Sequence, residues 1–278
     1  MSDQPSLEEL QPSTLRLRLE HGALHVTLHR PEARNAMSLE MVAELEAVVD
    51  AVLDRRDVRA IVLRGAGGHF CAGGDVKDMA KARMAPAKDG QPDPVAQVNR
   101  TFGRAITKVD RAPQAVVAVL EGAVLGGGFG LACVADVAIA HAEAKLGLPE
   151  TGLGLPPAQI APFLVRRLGL SQARRLAVTG GRLSGRQAHA LGLVHELAED
   201  DEGVQAIVER VLGEIRRCAP GAVAATKHLM LQVGAVELER VLDEGAQRFA
   251  EAARGPEGLE GMTAFVGKRL PRWADPQA

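Results

Sequence analysis

The chain has 278 residues, 46% of them hydrophobic, with 33 Lys and Arg against 35 Asp and Glu. That is enough apolar material for a sizeable core, and a formal net charge of −2 argues against nucleic-acid binding, which needs a clear basic excess. The three cysteines, Cys71, Cys133 and Cys218, form no CxxC pair and are odd in number, which fits a reducing compartment rather than a disulfide framework. Met1–Pro5 opens no secretory leader and no apolar run reaches membrane-spanning length, so a soluble cytoplasmic protein without membrane or nucleic-acid partners is expected.

In chain order, Leu15, Leu17 and Leu19 alternate with polar residues, His21-Gly22 turns the chain, and Leu24, Val26 and Leu28 alternate again. This predicts a hairpin. Ser38 is placed to cap a helix whose Leu39, Val42, Leu45, Val49 and Val52 form one apolar stripe. Val58–Leu63 is a buried strand by composition, and the glycine-rich turn Gly65–Asp75 follows it. Met79–Pro94 lacks a firm period and is expected to be a helix fraying into a surface loop, with helix returning over 95–109. Ala115–Leu120 is a second apolar strand, followed by a second glycine turn at Glu121–Gly128, a short helix at Phe129–Cys133 and a strand at Asp136–Ala140. Strand, glycine turn and helix thus recur in a weak internal repeat. After Gly147 the chain is expected to be helical, with Ser171 and Ser184 as caps and Gly180 and Gly192 as stops. Helices at 203–217, 220–233, 236–254 and 256–268 complete a strand-rich region (1–202) and a helical one (203–278).

Several common signatures are absent. Phe70 and Leu131 stand where each glycine turn would need the last glycine of GxGxxG, and no P-loop, HExxH, GxSxG or metal-ligand cluster is present. Two glycine turns ending two strands can instead aim two backbone N–H groups at one point, the arrangement a developing enolate oxygen requires. Asp75 and Asp136 are expected to brace backbone, His69 and His141 to be structural, and Cys71 to be a small buried residue.

Six pieces in order carry a resemblance: Arg30–Ala36, Cys71–Lys77, Gly126-Gly127-Gly128 with Cys133–Asp136, Leu146–Glu150, Thr179–Ser184 and Ala264–Arg269. Over residues 13–273 the chain resembles the crotonase (enoyl-CoA hydratase/isomerase) superfamily. The resemblance implies an α/β fold, a spiral of ββα units with a helical C-terminal oligomerisation region. It also implies a trimer or dimer of trimers, and an acyl-CoA thioester as ligand, the coenzyme A being part of the substrate and no separate cofactor. By position, Gly74 and Gly127 match the oxyanion-hole donors and Glu150 matches the second of two catalytic glutamates. Arg34, Asn35 and Ala36 match the loop beside the adenine, Ala72 and Lys77 join the CoA-binding set, and Phe265 and Lys268 match residues reaching a neighbouring subunit's CoA. The first glutamate is missing: its place is Gly130. Glu121 lies before the turn, at a position usually given to structure.

Leu148–Phe163 is similar to the branch that hydrates 3-substituted glutaconyl-CoA esters, including the isohexenyl compound of acyclic-terpene breakdown, and small Gly130 would make room for a branch at C3. That resemblance implies hydration of a branched 2-enoyl-CoA. A lone glutamate also suits Δ3-Δ2 double-bond migration, and the missing one admits a catalytically silent CoA-binding protein.

Overall fold

The computed structural model describes residues 6–86 and 90–274. The leader reading at Met1–Pro5 and part of the loop expected before Pro94 lie outside these. The described elements run β1 (Leu15–Glu20), β2 (Ala23–Leu28), α1 (Leu39–Val52), β3 (Ala60–Gly65), α2 (Val76–Met84), α3 (Pro94–Arg111), β4 (Ala115–Leu120), β5 (Ala123–Leu125) and α4 (Gly127–Val134). There follow β6 (Val137–His141), β7 (Lys145–Gly147), α5 (Ala161–Thr179), β8 (Arg182–Ser184), α6 (Gly185–Ala190), β9 (Glu196–Ala198), α7 (Asp201–Arg216), α8 (Pro220–Gln232), α9 (Leu238–Arg254) and α10 (Pro256–Val266).

One sheet has the order β1-β2-β3-β4-β6-β9; a smaller one has β5-β7-β8. The β1–β2 hairpin is antiparallel, closed by His21 and Gly22 with both φ positive, and every other pairing in the large sheet is parallel. A central parallel strand covered on both faces is apolar throughout, as in β4, all six of whose residues are buried. Successive side chains go to opposite layers. Ile61, Leu63, Val116 and Ala118 join the α1 and α3 core, whereas Val62, Val117, Val119 and Ile139 pack with Val204, Val208, Val211 and Leu212 of α7. Helix α7 therefore closes the sheet's second face, although nearly all of it lies beyond residue 202.

Ser38 accepts from Met41 N–H and Ser184 forms a full capping box with Gln187, as expected. Other expectations need correcting. The chain after Gly147 is not only helical, because β8 and β9 add three-residue edges. The break in α5 falls at Gly169 (φ 72°, ψ 161°), ahead of the expected cap at Ser171. Helix α2 runs to Met84 from a cap by Asp75, whose side chain accepts from Lys77 N–H. No helix among the described residues is long and apolar enough to cross a membrane.

Candidate active site

The two glycine turns run side by side. Phe70 N–H donates to Glu121 C=O (2.8 Å), Cys71 N–H to Ala123 C=O (2.9 Å) and Leu125 N–H to Cys71 C=O (2.9 Å), which pairs Cys71 with Val124 in parallel. Three residues on along each strand stand Gly74 and Gly127. Gly73 and Gly126 remain neighbours, since a Cβ built on Gly126 would lie 3.4 Å from Gly73 Cα.

Both N–H groups are left free for a reason that can be traced. Gly74 sits opposite Met37 in a parallel bridge in which Met37 N–H donates to Gly73 C=O and Asp75 N–H to Met37 C=O. Gly74's own N–H therefore points away from Met37. Gly127 is the first residue of α4, where an N–H has no intrahelical partner and lies at the positive end of the helix dipole. The preceding Gly126 adopts φ 48°, ψ −112°, a conformation open to glycine, to start that helix directly off β5. One cation covers the other end of α4: the guanidinium of Arg167 donates to Cys133 C=O at 3.0 and 2.8 Å and also reaches Ala132 and Ala135.

A cleft of about 690 Å³ opens over these turns. Its walls come from Met37 and the start of α1, from α2, from the cap and first turns of α3, and from the segment 149–160. Glu150 lies in it, on a short 3-10 turn anchored to α5 by the Thr151 hydroxyl on Ala177 C=O (2.9 Å). Its Oε1 would lie 2.8 Å from a Cβ at Gly126, and its buried Oε2 has no hydrogen-bond partner. Burial pushes the Glu150 carboxyl above the usual carboxylate range, against the smaller pull of its own backbone N–H.

The other carboxylates on the wall are already engaged. Asp78 accepts from Leu39 N–H (2.7 Å) and Asp93 from Val95 and Ala96 N–H. Asp75 pairs with Arg30 (2.8 Å); burial opposes its charge, but the bonds from Arg30 and Lys77 N–H prevail and hold its carboxyl low. Asp75 therefore braces backbone, and so does Asp136, which accepts from Val116 N–H and pairs with Lys227. His69 Nδ1 accepts from Ala123 N–H and His141 Nδ1 from Glu143 N–H. Cys71 is buried with its thiol pushed up to about 11 by desolvation. Glu121 is held by a two-pronged bond from Arg64 (2.7 Å each).

Of the residues matched to CoA binding, Ala72 lines the cleft and Arg34 to Ala36 do not. Asn35 is fully buried, accepts from Arg30 N–H, and donates to Ala66 and His69 C=O (2.8 and 2.6 Å), while Arg34 C=O accepts from Ala72 N–H. The 30–36 segment is a splint for the first glycine turn, with Arg34 and Asn35 at positive φ. Nor does Gly130 open space for a substrate branch. A Cβ there would meet Ile106 Cδ1 at 2.7 Å and Ile160 Cγ1 at 3.2 Å, with Phe102 close by, so protein fills the room. Lys77 is exposed on α2 and lines no part of the cleft, and neither do Phe265, 86% exposed at the end of α10, and Lys268 just after it. The sequence reading missed Phe102 and Asn99, whose contacts lie far along the chain and which no local pattern marks, and it quoted Arg30 without foreseeing its ion pair with Asp75.

An apolar cleft holding two free N–H donors and one unpaired carboxylate defines a site built for carbonyl and proton chemistry. The family model for Enoyl-CoA hydratase/isomerase matches residues 18–276. Among solved structures, an enoyl-CoA hydratase/isomerase from Marinobacter aquaeolei superposes with TM-score 0.92 at 52% identity, over 94% of this chain and 99% of its own. Pseudomonas aeruginosa AtuE gives 0.91 at 57% identity, over 95% and 100%. A mevalonyl-coenzyme A hydratase, SIDH, from Beauveria bassiana is 33% identical over 260 residues, 91% of each chain. The chain belongs to the enoyl-CoA hydratase/isomerase family of the crotonase superfamily.

Proposed function

We propose that the protein hydrates a 2-enoyl-CoA branched at C3, of the glutaconyl type and including isohexenylglutaconyl-CoA. One observation carries the reaction: Glu150 is the carboxylate of the cleft whose oxygen has no partner, and it adjoins Gly126 between the two donors. The thioester oxygen would accept from Gly74 and Gly127 N–H. Water oxygen bonds C3 while the C2=C3 electron pair moves to the carbonyl as an enolate; Glu150 takes the water proton and returns it to C2, and the thioester carbonyl re-forms. The acyl preference is supported by the 148–163 resemblance, by the volume and apolar walls of the cleft, and by a relative named for mevalonyl-CoA, itself a C3-branched thioester.

A homo-oligomer fits the exposed apolar residues of the last helices, among them Leu242, Phe249, Leu259, Met262 and Phe265. Phe265 and Lys268 would then serve a neighbouring subunit's CoA, in a cytoplasmic trimer or hexamer. A second reading is double-bond migration, favoured by the filled space at Gly130, because an isomerase needs one base. Purified protein offered crotonyl-, 3-methylglutaconyl-, isohexenylglutaconyl- and a 3-enoyl-CoA separates them by product mass. Gain of water on the glutaconyl esters supports hydration. A conjugated product of unchanged mass from the 3-enoyl ester alone supports isomerisation, and binding without turnover on all four overturns both.

A further inference from the structure

Among the described residues lining the cleft, Asn99 and Gln159 are the side chains that carry N–H donors; the rest are apolar, glycine, or the carboxylates already described. They are joined. Gln159 Nε2 donates to Asn99 Oδ1 at 3.0 Å, and the exposed Arg100 places Nη1 3.5 Å from Gln159 Oε1. The carboxamide lies flat on α3 over Gly103, where any Cβ would collide with Gln159 Oε1, so the arrangement depends on glycine at 103. With Oε1 turned to the cation and one Nε2 hydrogen spent on Asn99, the second Nε2 hydrogen and both Asn99 Nδ2 hydrogens stay available.

Two carboxamides with spare donors on an apolar wall, next to a guanidinium, suit an acceptor that brings several lone pairs and a negative charge. We infer that Asn99 and Gln159, backed by Arg100, form the subsite for a carboxylate at the far end of the acyl chain. The inference rests on the glutaconyl-type reading above and deepens it, since that substrate carries its second carboxylate at C5. The subsite separates such esters from neutral enoyl thioesters of the same shape.

The test compares two substrates that differ only at C5: 3-methylglutaconyl-CoA, with a carboxylate, and 3-methylpent-2-enoyl-CoA, with a methyl. Binding of the saturated pair glutaryl-CoA and pentanoyl-CoA is measured by calorimetry alongside. The wild type is expected to favour the carboxylate member in both kcat/KM and Kd. Gln159→Leu should lower that preference about tenfold or more, as loss of a charge-assisted bond predicts, while leaving pentanoyl-CoA binding nearly unchanged. Gln159→Glu should reject the carboxylate member and keep the neutral one, and Arg100→Met should weaken the preference less than Gln159→Leu. An equal loss on both members in Gln159→Leu would make Gln159 a packing residue and overturn the inference. A wild type that turns over both esters without preference would also overturn it and leave the hydratase reading standing. If neither ester is turned over, the function proposal fails, while a preference for glutaryl-CoA in binding would still support the subsite.

Discussion

Replacing Glu150 by glutamine separates chemistry from stability in opposite directions. The carboxyl has one buried oxygen without a donor and its pKa is raised by burial. A group whose folded pKa lies above its unfolded value favours the native state only while protonated. Its stability is full below the unfolded pKa, about 4.3 for Glu, and is lost as pH rises through the folded pKa. At neutral pH the ionised Glu150 therefore costs the fold something. An unmet buried charge costs roughly 1–3 kcal/mol, and the side chain's partial exposure brings this to about 1 kcal/mol. For a chain of this size that is about 2–4 °C in Tm. Glu150→Gln should melt higher by that amount at pH 7.5, and the gap should close as pH falls well below the unfolded pKa, where the wild type is protonated in both states. Hydration, followed by loss of the enoyl-thioester absorbance, should fall by about 10²–10⁴-fold, the range for a lost general acid–base. The acid limb of the wild-type kcat/KM profile should lie above that of an exposed carboxylate. A variant that melts lower at pH 7.5, or keeps activity within about tenfold, refutes the assignment.

Gly126→Ala would put a Cβ 2.8 Å from Glu150 Oε1 at φ 48°; strain of about 1–3 kcal/mol should lower Tm, and kcat should fall more than KM rises. Gly130→Glu should restore no activity, because the side chain must displace Ile106 and Ile160. Overpacking of about 1–3 kcal/mol should appear in the melting curve, and a rate gain would show that the space is open after all. Asp75→Asn should cost about 1.5–3 kcal/mol near pH 7 by removing the partner of Arg30. Because the Asp75 pKa is depressed, this stability is present above its unfolded pKa and lost as pH falls through the folded one. Melts of the two proteins should therefore converge in strong acid.

Local physics made much of the fold legible in the sequence. A strand buried on both faces must be apolar at every position, so Ala115–Leu120 declares itself without its neighbours. Ser38 and Ser184 cap through bonds made within four residues, and His21-Gly22 carries the turn's own dihedral preference. Asp75 carried the same signal for α2, outweighed in the reading by the aperiodic stretch behind it. The three-residue strands β8 and β9 are too short to show a period, and they exist because β7 and β6 offer them an edge. The site was legible where it is backbone. Glycines ending two strands marked the two turns that run side by side, yet Asn35 turning inward and Ile106 and Ile160 closing over Gly130 depend on segments far apart in the chain.

That closure bears directly on the chemistry. With the place of a first glutamate filled by aliphatic side chains, a second acid would have to come from elsewhere on the wall. Asp75, Asp78 and Asp93 each spend their charge on backbone N–H groups or on Arg30. Hydrogen bonds to a carboxylate's charged form make it a weaker base, whereas burial without partners makes Glu150 a stronger one. Under the proposed mechanism the polar layout leaves proton transfer to a single side chain. Hydration and isomerisation then differ in the source of the proton, water or a substrate carbon, rather than in the residue that carries it. In that mechanism the choice between them falls to the shape and polarity of the acyl end, in a cleft that is apolar except at Glu150, at Asn99 and Gln159, and at the carboxylates already bonded.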